Sequence, residues 1–118
     1  MKYEYSRIKG KYKGRIRNGK PHGLGMLVNH QQSIMAEWKN GAFHGKVFRK
    51  WKNHCLQYLS YKNGRPDGIS LTFYKNGERR EYKIEDGNCH GKYRHYGASG
   101  KLEEEGKYLY GREARGPG

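Results

Sequence analysis

Histidine and cysteine are the residues whose chemistry first suggests a metal site in this chain. His22 and His44 are 22 residues apart and His90 follows after a further 46, about twice that interval, while Cys55 and Cys89 lie between or beside them. A tetrahedral zinc site usually draws its ligands from pairs such as Cys-x-x-Cys or His-x-x-x-His, which hold two donors on one ion. The chain contains neither pair. We therefore expect no bound metal and no cofactor.

Catalysis has no better candidates in the sequence. A catalytic nucleophile needs a base within hydrogen-bond reach and a third group that orients this base. The residue types and their spacing nominate no such set, and the run Glu103-Glu104-Glu105 is typical of a solvated edge. The glycines stand at turn positions, so their spacing does not indicate a phosphate-binding loop. We expect that the protein is not an enzyme.

A six-residue phrase that contains these histidines occurs four times. Its first residues, at positions 18, 40, 63 and 86, are 22, 23 and 23 residues apart. A fixed period of this length indicates one structural unit that is copied along the chain and stacked on its neighbours. The residues that we assign to structural turns are Asn18, Gly19, His22, Gly23, Asn40, Gly41, His44, Gly45, Asn63, Gly64, Asp67, Gly68, Asp86, Gly87, His90 and Gly91.

Each phrase begins with a hairpin signal. Asn-Gly and Asp-Gly suit a type I′ turn, because both central residues of that turn have positive φ. A second set of turn candidates lies between the phrases, at residues 29–32, 52–54, 75–77 and 98–100. Each repeat is therefore predicted to contain two strands of about six residues. No stretch has a sustained helical period, so the sequence predicts an all-β fold.

Alternate residues before each Asn-Gly pair are largely aromatic or aliphatic. Reading back from the turns gives Tyr12 and Ile16 in the first copy and Ile34 and Trp38 in the second. Alternate residues of a strand share one face, so these side chains are predicted to form the core. We predict that the apolar residues of the returning strands join the same face and leave the other face polar; these are Met26, Val28, Phe48, Leu71, Phe73 and Tyr96.

The repeated phrase resembles the MORN repeat family, whose copies read roughly Tyr-x-Gly-x-x-x-x-Gly-x-x-His-Gly-x-Gly. The segment Tyr12 to Gly25 matches every fixed position, whereas Ala36 and Leu59 replace the first Gly of later copies and Asp67 replaces the His. The later copies are similar to the degenerate MORN-type repeats of antitoxin-like and viral proteins. In the family the His belongs to the turn scaffold, where it hydrogen-bonds local backbone, and Asp67 fits that role.

The resemblance implies an elongated, single-layer, twisted antiparallel sheet of stacked MORN-type β-hairpins. It covers residues 8–112 as a domain of about four to five repeats, and no catalytic residues are implied. Residues 1–7 are expected to form an N-terminal edge segment. Residues 113–118 are expected to be a flexible tail.

Positive charge is concentrated in the first half of the chain. The net charge is +14, and residues 1–60 contribute 13 Lys or Arg against 2 Glu. Alternation along one strand places five cations on one face, which either prevents pairing at an exposed sheet edge or binds an anionic partner. The residues that we predict for anionic-partner binding are Lys9, Lys11, Lys13, Arg15, Arg17, Lys46, Arg49, Lys50 and Lys52.

The favoured partner is a protein in a larger assembly, because repeat sheets present long faces with exposed aromatic side chains. Candidate face contacts are Trp38, Trp51, Tyr58, Tyr61 and Tyr74, of which Trp38 and Tyr61 fit the core equally well. An acidic phospholipid surface, which the resemblance makes available, and an antitoxin-like neutralising role are the alternatives. Nucleic acid is less favoured, because most aromatics fall in the predicted core column.

Two further expectations concern assembly and location. A basic first strand and an acidic last strand would allow head-to-tail self-association through the sheet edges. The chain has no apolar run that would span a membrane and no secretory signal. We expect an intracellular, non-secreted protein, with association with a membrane or membership of a viral particle as open alternatives.

Overall fold

The computed structural model describes residues 1–53, 55–109 and 112–114, and these form one open antiparallel sheet. Eleven strands are present in this described part, and each pairs with its neighbours in chain order. The sheet measures 54 × 29 × 19 Å, and the predicted all-β single-layer fold is confirmed. The strands are β1 (Lys2–Tyr5), β2 (Ile8–Arg17), β3 (Lys20–Val28), β4 (Gln32–Lys39), β5 (Ala42–Trp51), β6 (Leu56–Lys62), β7 (Arg65–Phe73), β8 (Arg79–Glu85), β9 (Asn88–Tyr96), β10 (Leu102–Leu109) and β11 (Arg112–Ala114).

The Asn-Gly and Asp-Gly pairs form the tight turns that join β2 to β3, β4 to β5, β6 to β7 and β8 to β9. Both central residues of every such turn have positive φ, for example 53° at Asn18 and 75° at Gly19. This backbone matches the twist of the flanking strands. The turn chemistry therefore fixes four hairpins from purely local sequence.

Every one of these hairpins has the same irregularity a few residues from its turn. In the first hairpin the register shifts between Gly14 and Ile16 of β2, and the other three shift at the equivalent place. The last glycine of each phrase faces this point with positive φ, 84° at Gly23 and 94° at Gly45. A bulge of this kind increases the right-handed twist of its strands, so the repeat produces a strongly twisted sheet.

Most of the core lies on one face, which we call the aromatic face, within β1 to β6. Its fully or nearly buried side chains are Tyr12, Leu27, Ile34, Ala36, Trp38, Phe43, Val47 and Leu59. Four partly buried residues pack against this cluster: Tyr3, Tyr5, Ile8 and Tyr61. The core is thus thin and one-sided, which agrees with a chain that is only 33% hydrophobic.

The first strand covers this core. The ring of Tyr5 lies 4.6 Å from that of Phe43 between centroids, and the hydroxyl of Tyr3 donates to the carbonyl of Gly41 at 2.6 Å. In a flat sheet β1 and β5 would be about 19 Å apart, beyond the reach of a tyrosine. The sheet therefore curls toward its aromatic face, and β1 acts as a cover over the second hairpin.

The prediction for the returning strands was wrong. Met26 pairs with Lys13, and Phe48 pairs with Met35 and Tyr58, on the face opposite the core. A two-residue turn places even-numbered residues of β2 opposite odd-numbered residues of β3, and the bulge preserves this parity. The partners that continue the core column are therefore Leu27, Val47, Ser70 and Tyr93. The opposite face, which we call the outer face, receives the apolar residues instead.

Candidate interaction surface

The histidines of the repeated phrase connect one hairpin to the next. The backbone N–H of Asn40 donates to Nδ1 of His22 at 3.2 Å, and that of Asn63 donates to Nδ1 of His44 at 3.4 Å. Asp67 takes the same place in the third copy, where its Oδ1 accepts from the N–H of Asp86 at 3.4 Å. These side chains are thereby engaged in holding turns together.

A backbone hydrogen bond accompanies each of these side-chain contacts. The N–H of Gly41 donates to the carbonyl of Pro21 at 2.8 Å, and Gly64 and Gly87 donate in the same way one and two repeats later. In the fourth copy, Nε2 of His90 lies 3.6 Å from a carboxylate oxygen of Glu85. The turn side of the sheet is thus a row of equivalent joints.

The basic strand β2 keeps its predicted alternation in part. Lys9, Lys11 and Lys13 are exposed on the outer face. Arg15 falls at the bulge, where its side chain lies beside Gly23, and Arg17 pairs with Lys20 next to the turn. The charges therefore spread from the outer face to the tip of the first hairpin.

The first edge of the sheet is β1 rather than β2. Residues 2–5 pair with residues 8–11, Lys11 also pairs with Val28 of β3, and the carbonyl of Lys9 accepts from Nδ2 of Asn29 at 2.9 Å, so neither lysine lies on a free edge. Protection of an exposed sheet edge therefore does not explain why these two positions are lysine. A recess of about 670 Å³ beside them is lined by three lysines, Lys2, Lys9 and Lys11, together with His30 and one carboxylate, that of Glu4, so positive charge predominates at this end of the sheet.

The remaining predicted cations divide between the two faces. Lys46 and Lys50 are exposed on the outer face, and Lys52 is exposed in the connection after β5. Arg49 lies on the aromatic face, where its Nε donates to Oε1 of Gln32 at 3.0 Å and its guanidinium lies 4.6 Å from the ring centroid of Trp51. Burial lowers the pKa of Arg49. Arg49 is therefore a packed residue and does not join the outer-face cations.

The five predicted face contacts also have different environments. Trp38 is only 3% exposed and its indole N–H donates to the carbonyl of Gly25 at 3.1 Å, so of the two places that the sequence left open for Trp38 the structure shows the core. Tyr61 packs on Phe43 with 5.1 Å between ring centroids and also belongs to the core. Trp51 lies under Arg49, and Tyr74 lies 5.4 Å from the guanidinium of Arg80.

Tyr58 belongs to a feature of the outer face that the sequence reasoning missed. Five side chains follow one another across β3 to β7 as directly opposed cross-strand partners, and we call them the outer stripe: Met26, Met35, Phe48, Tyr58 and Leu71. The parity of the two-residue turns would have revealed this stripe. Met26, Phe48 and Leu71 had instead been assigned to the core, whereas Tyr58 had been predicted as a face contact.

A chain of polar side chains crosses the aromatic face of the second half and was also missed. The hydroxyl of Tyr82 lies 2.8 Å from Nε2 of His95, whose Nδ1 lies 3.3 Å from Oε2 of Glu104. Tyr93 donates to the other oxygen of Glu104 at 3.1 Å. The run of acids had suggested a purely solvated edge, but Glu104 contacts both Tyr93 and His95. Only the strand register brings these residues together, so no local signal could have found them.

The side chains of Tyr82, His95 and Glu104 thus follow one another as hydroxyl, imidazole and carboxylate, an order that also occurs in nucleophilic catalysis. Burial raises the pKa of Tyr82, so its phenol is held in the protonated form, which is the poorer nucleophile. The arrangement is best described as a clamp that joins β8, β9 and β10. It satisfies polar groups between neighbouring strands.

Comparison with known proteins gives no assignment. No family model matches the chain, and no curated protein matches it. Among residues 1–53, 55–109 and 112–114, no three His, Cys, Asp or Glu side chains are grouped so as to hold a metal ion. The same residues contain no helix with the length and apolar character needed to cross a bilayer.

Proposed function

We propose that the chain is a non-catalytic MORN-type repeat scaffold, which acts inside the cell and mediates protein–protein interaction as a structural or assembly component. The observation that carries this proposal is the outer face of the first half. There Lys11, Lys13, Lys46 and Lys50 lie around apolar side chains that include the exposed Phe48. A basic surface with apolar contacts suits an acidic protein partner, because charge steers the encounter and apolar burial adds affinity.

The joints between hairpins support a scaffolding role. Each joint fixes the position of one turn relative to the previous one through two hydrogen bonds, such as those of Asn40 and Gly41 to His22 and Pro21. Side chains on successive strands therefore keep their spacing. A surface that is ordered before binding loses little conformational entropy in the complex.

The experiment is a charge reversal on the full chain. The variant Lys11→Glu, Lys13→Glu, Arg15→Glu and the wild type are tagged, expressed in the native cells and cross-linked, and captured proteins are quantified by mass spectrometry. The matched control reverses three exposed lysines of the second half: Lys75, Lys92 and Lys101. We expect the first variant to lose an acidic protein that the wild type and the control retain. Equal capture by all three chains would contradict the proposal.

Binding to acidic phospholipid is the second candidate, and the same cations favour it. Each Lys or Arg near an anionic bilayer contributes about 1 kcal/mol, and salt screens this attraction. Sedimentation with phosphatidylserine vesicles at low and high salt measures it. Binding to vesicles in the absence of any captured protein would favour this candidate over the scaffold.

A further inference from the structure

The outer stripe is a continuous apolar surface that crosses five strands. Met26, Met35, Phe48, Tyr58 and Leu71 are opposed in turn, one on each strand from β3 to β7. Neighbouring strands are about 4.8 Å apart, so the stripe is about 19 Å long. It runs perpendicular to the strands and lies on a face of the sheet, away from the backbone groups that a sheet edge would offer to another strand.

The stripe plays no part in the core cluster. Phe48 is 52% exposed, and its ring contacts that of Tyr58 with 5.0 Å between centroids. Leu56 and Phe73, at its side, are 46% and 39% exposed. Together with Met26 and Met35, these four side chains line a groove of about 430 Å³. An exposed apolar groove of this kind marks an interaction site rather than a fold requirement.

Cations stand on both sides of the stripe. Residues two positions along a strand are about 6.6 Å away on the same face. Lys50 lies on one side of Phe48 and Lys46 on the other, and Lys13 pairs with Met26 at the first end of the stripe. The carboxylates nearby are already engaged: Glu37 accepts from the N–H of Lys46 at 3.0 Å, and Glu81 lies 3.3 Å from Arg79.

We propose that the outer stripe binds an acidic amphipathic helix of a protein partner. This inference rests on the proposed function and names the site and the chemistry of that partner. A helix of about 13 residues matches the length of the stripe, at 1.5 Å per residue. Its apolar side chains, spaced three and four residues apart, enter the groove, and carboxylates on its flanks reach Lys46 and Lys50. Met26 and Met35 adapt to the anchors because methionine is unbranched and flexible.

The geometry favours a helix over a bilayer. Most apolar residues of the stripe lie in the middle of strands and line a groove of about 430 Å³, whereas a membrane surface is contacted by apolar side chains that project beyond the surrounding surface. A helix, about 10 Å wide, fits between Lys46 and Lys50, which lie about 6.6 Å from Phe48 on either side. Carboxylates near the middle of the helix then contact these two lysines, and one at its end reaches Lys13.

The test is a selection of peptides on the full chain. A phage library of random peptides of about 15 residues, slightly longer than the stripe requires, is selected on the wild type, and enriched peptides are synthesised. We expect apolar residues at helical spacing with several Asp or Glu. Binding is then measured to Phe48→Asp, to Lys46→Glu with Lys50→Glu, and to the control Leu102→Asp, which alters an exposed leucine outside the stripe. Circular dichroism verifies that each variant is folded.

We expect both stripe variants to bind the selected peptides at least about tenfold more weakly, a loss typical of an interface anchor, and Leu102→Asp to bind normally. Phe48→Ser removes the ring without adding charge and replaces Phe48→Asp if that variant unfolds. Equal binding by wild type and Phe48 variants would overturn the inference, as would enrichment of peptides without acidic residues. Phe48-dependent binding to vesicles with about 30% phosphatidylserine, in place of peptides, would assign the stripe to lipid and also overturn it.

The outcomes separate this inference from the proposed function. If the Phe48 variants bind peptides normally while the Lys11, Lys13 and Arg15 reversal loses its captured protein, the scaffold proposal stands and the stripe is not its binding site. If peptide binding depends on Phe48 but the charge reversal captures every protein normally, the stripe binds a helix and the proposed use of the basic surface is wrong.

Discussion

Nδ1 of His44 accepts a hydrogen bond from the backbone N–H of Asn63, which is 19 residues further along the chain. One hairpin therefore holds the turn of the next. Asp67 performs the same task one repeat later, so the joint requires an acceptor rather than an imidazole.

We predict that His44→Asp retains the stability of the protein, whereas His44→Ala lowers the free energy of unfolding by about 1 kcal/mol through loss of one hydrogen bond. Urea unfolding monitored by tryptophan fluorescence measures both. His30→Ala, at an exposed histidine between β3 and β4, is the control and should have no effect. Equal destabilisation by Asp and Ala would show that the acceptor is not the important property.

We predict that Tyr3→Phe also costs about 1 kcal/mol, because the ring remains while the hydrogen bond to the carbonyl of Gly41 is lost. Tyr3→Ala should cost more, since it also removes ring contacts with Tyr12 and Trp38. Tyr58→Phe, on the outer face, is the matched control. Indistinguishable unfolding of Tyr3→Phe and wild type would mean that β1 covers the core without help from this contact.

We predict that Gly25→Ala is destabilising by about 1–3 kcal/mol, the usual range for overpacking. A Cβ at this position would collide with the ring and hydroxyl of Tyr12, and the hydroxyl already donates to the carbonyl of Arg15 at 2.7 Å. Gly106→Ala should behave alike, because its Cβ would lie 2.7 Å from the ring of Tyr93. Thermal unfolding compares both with Ser99→Thr, which adds a methyl group at an exposed turn. A neutral result at Gly25 would contradict the close packing seen here.

We predict a pH dependence from the buried phenol of Tyr12. Burial raises the pKa of Tyr12 above its ordinary value, so the folded state holds the proton more strongly than the unfolded state. The resulting stability is fully present below about pH 10, the pKa of an unfolded tyrosine, and is lost as the pH rises further. The stability difference between wild type and Tyr12→Phe should therefore shrink from pH 8 to pH 11. Titratable groups that both proteins share affect the two free energies of unfolding equally, so their effect cancels in the difference. A difference that stays constant with pH would refute the prediction.

We predict that the sheet edges remain unpaired in solution. The strands at the two ends, β1 and β11, have four and three residues, and very short edge strands offer few backbone groups to another molecule. Sedimentation velocity at low and high salt should give one monomeric species. A larger species that dissociates into monomers at high salt would instead support head-to-tail pairing between basic and acidic edges.

Local chemistry made the hairpins predictable. Positive φ at Asn18 and Gly19 is a demand of the turn itself, so the residue types alone identify it. Arg49 and Lys50 are consecutive residues of β5, so alternation along one strand could likewise have predicted that their side chains lie on different faces of the sheet. The assignment of Phe48 to the core was wrong because it treated each strand separately, whereas the parity of pairing across a two-residue turn places Phe48 on the outer face.

Other features needed the full structure. The contact of Tyr3 with Gly41 joins residues 38 positions apart and depends on the curl of the whole sheet. The clamp of Tyr82, His95 and Glu104 depends on the register of three strands. Neither the curl of the whole sheet nor the register of three strands is encoded in the spacing of one repeat, which explains why Glu104 had been assigned to a solvated edge. Residue 54 and residues 110, 111 and 115–118, the last four of which belong to the predicted tail, lie outside the described residues.

The cover that β1 places over the second hairpin makes the two ends of the sheet mechanically unequal. If the molecule is pulled along the chain, each antiparallel hairpin opens like a zip, with its hydrogen bonds loaded one pair at a time. Hairpins of the second half are not covered by β1, and each one that opens would release 22 or 23 residues, about 80 Å of extended chain. The first two hairpins are fastened together by Tyr3 and Tyr5 and must yield as one larger unit, at a higher force.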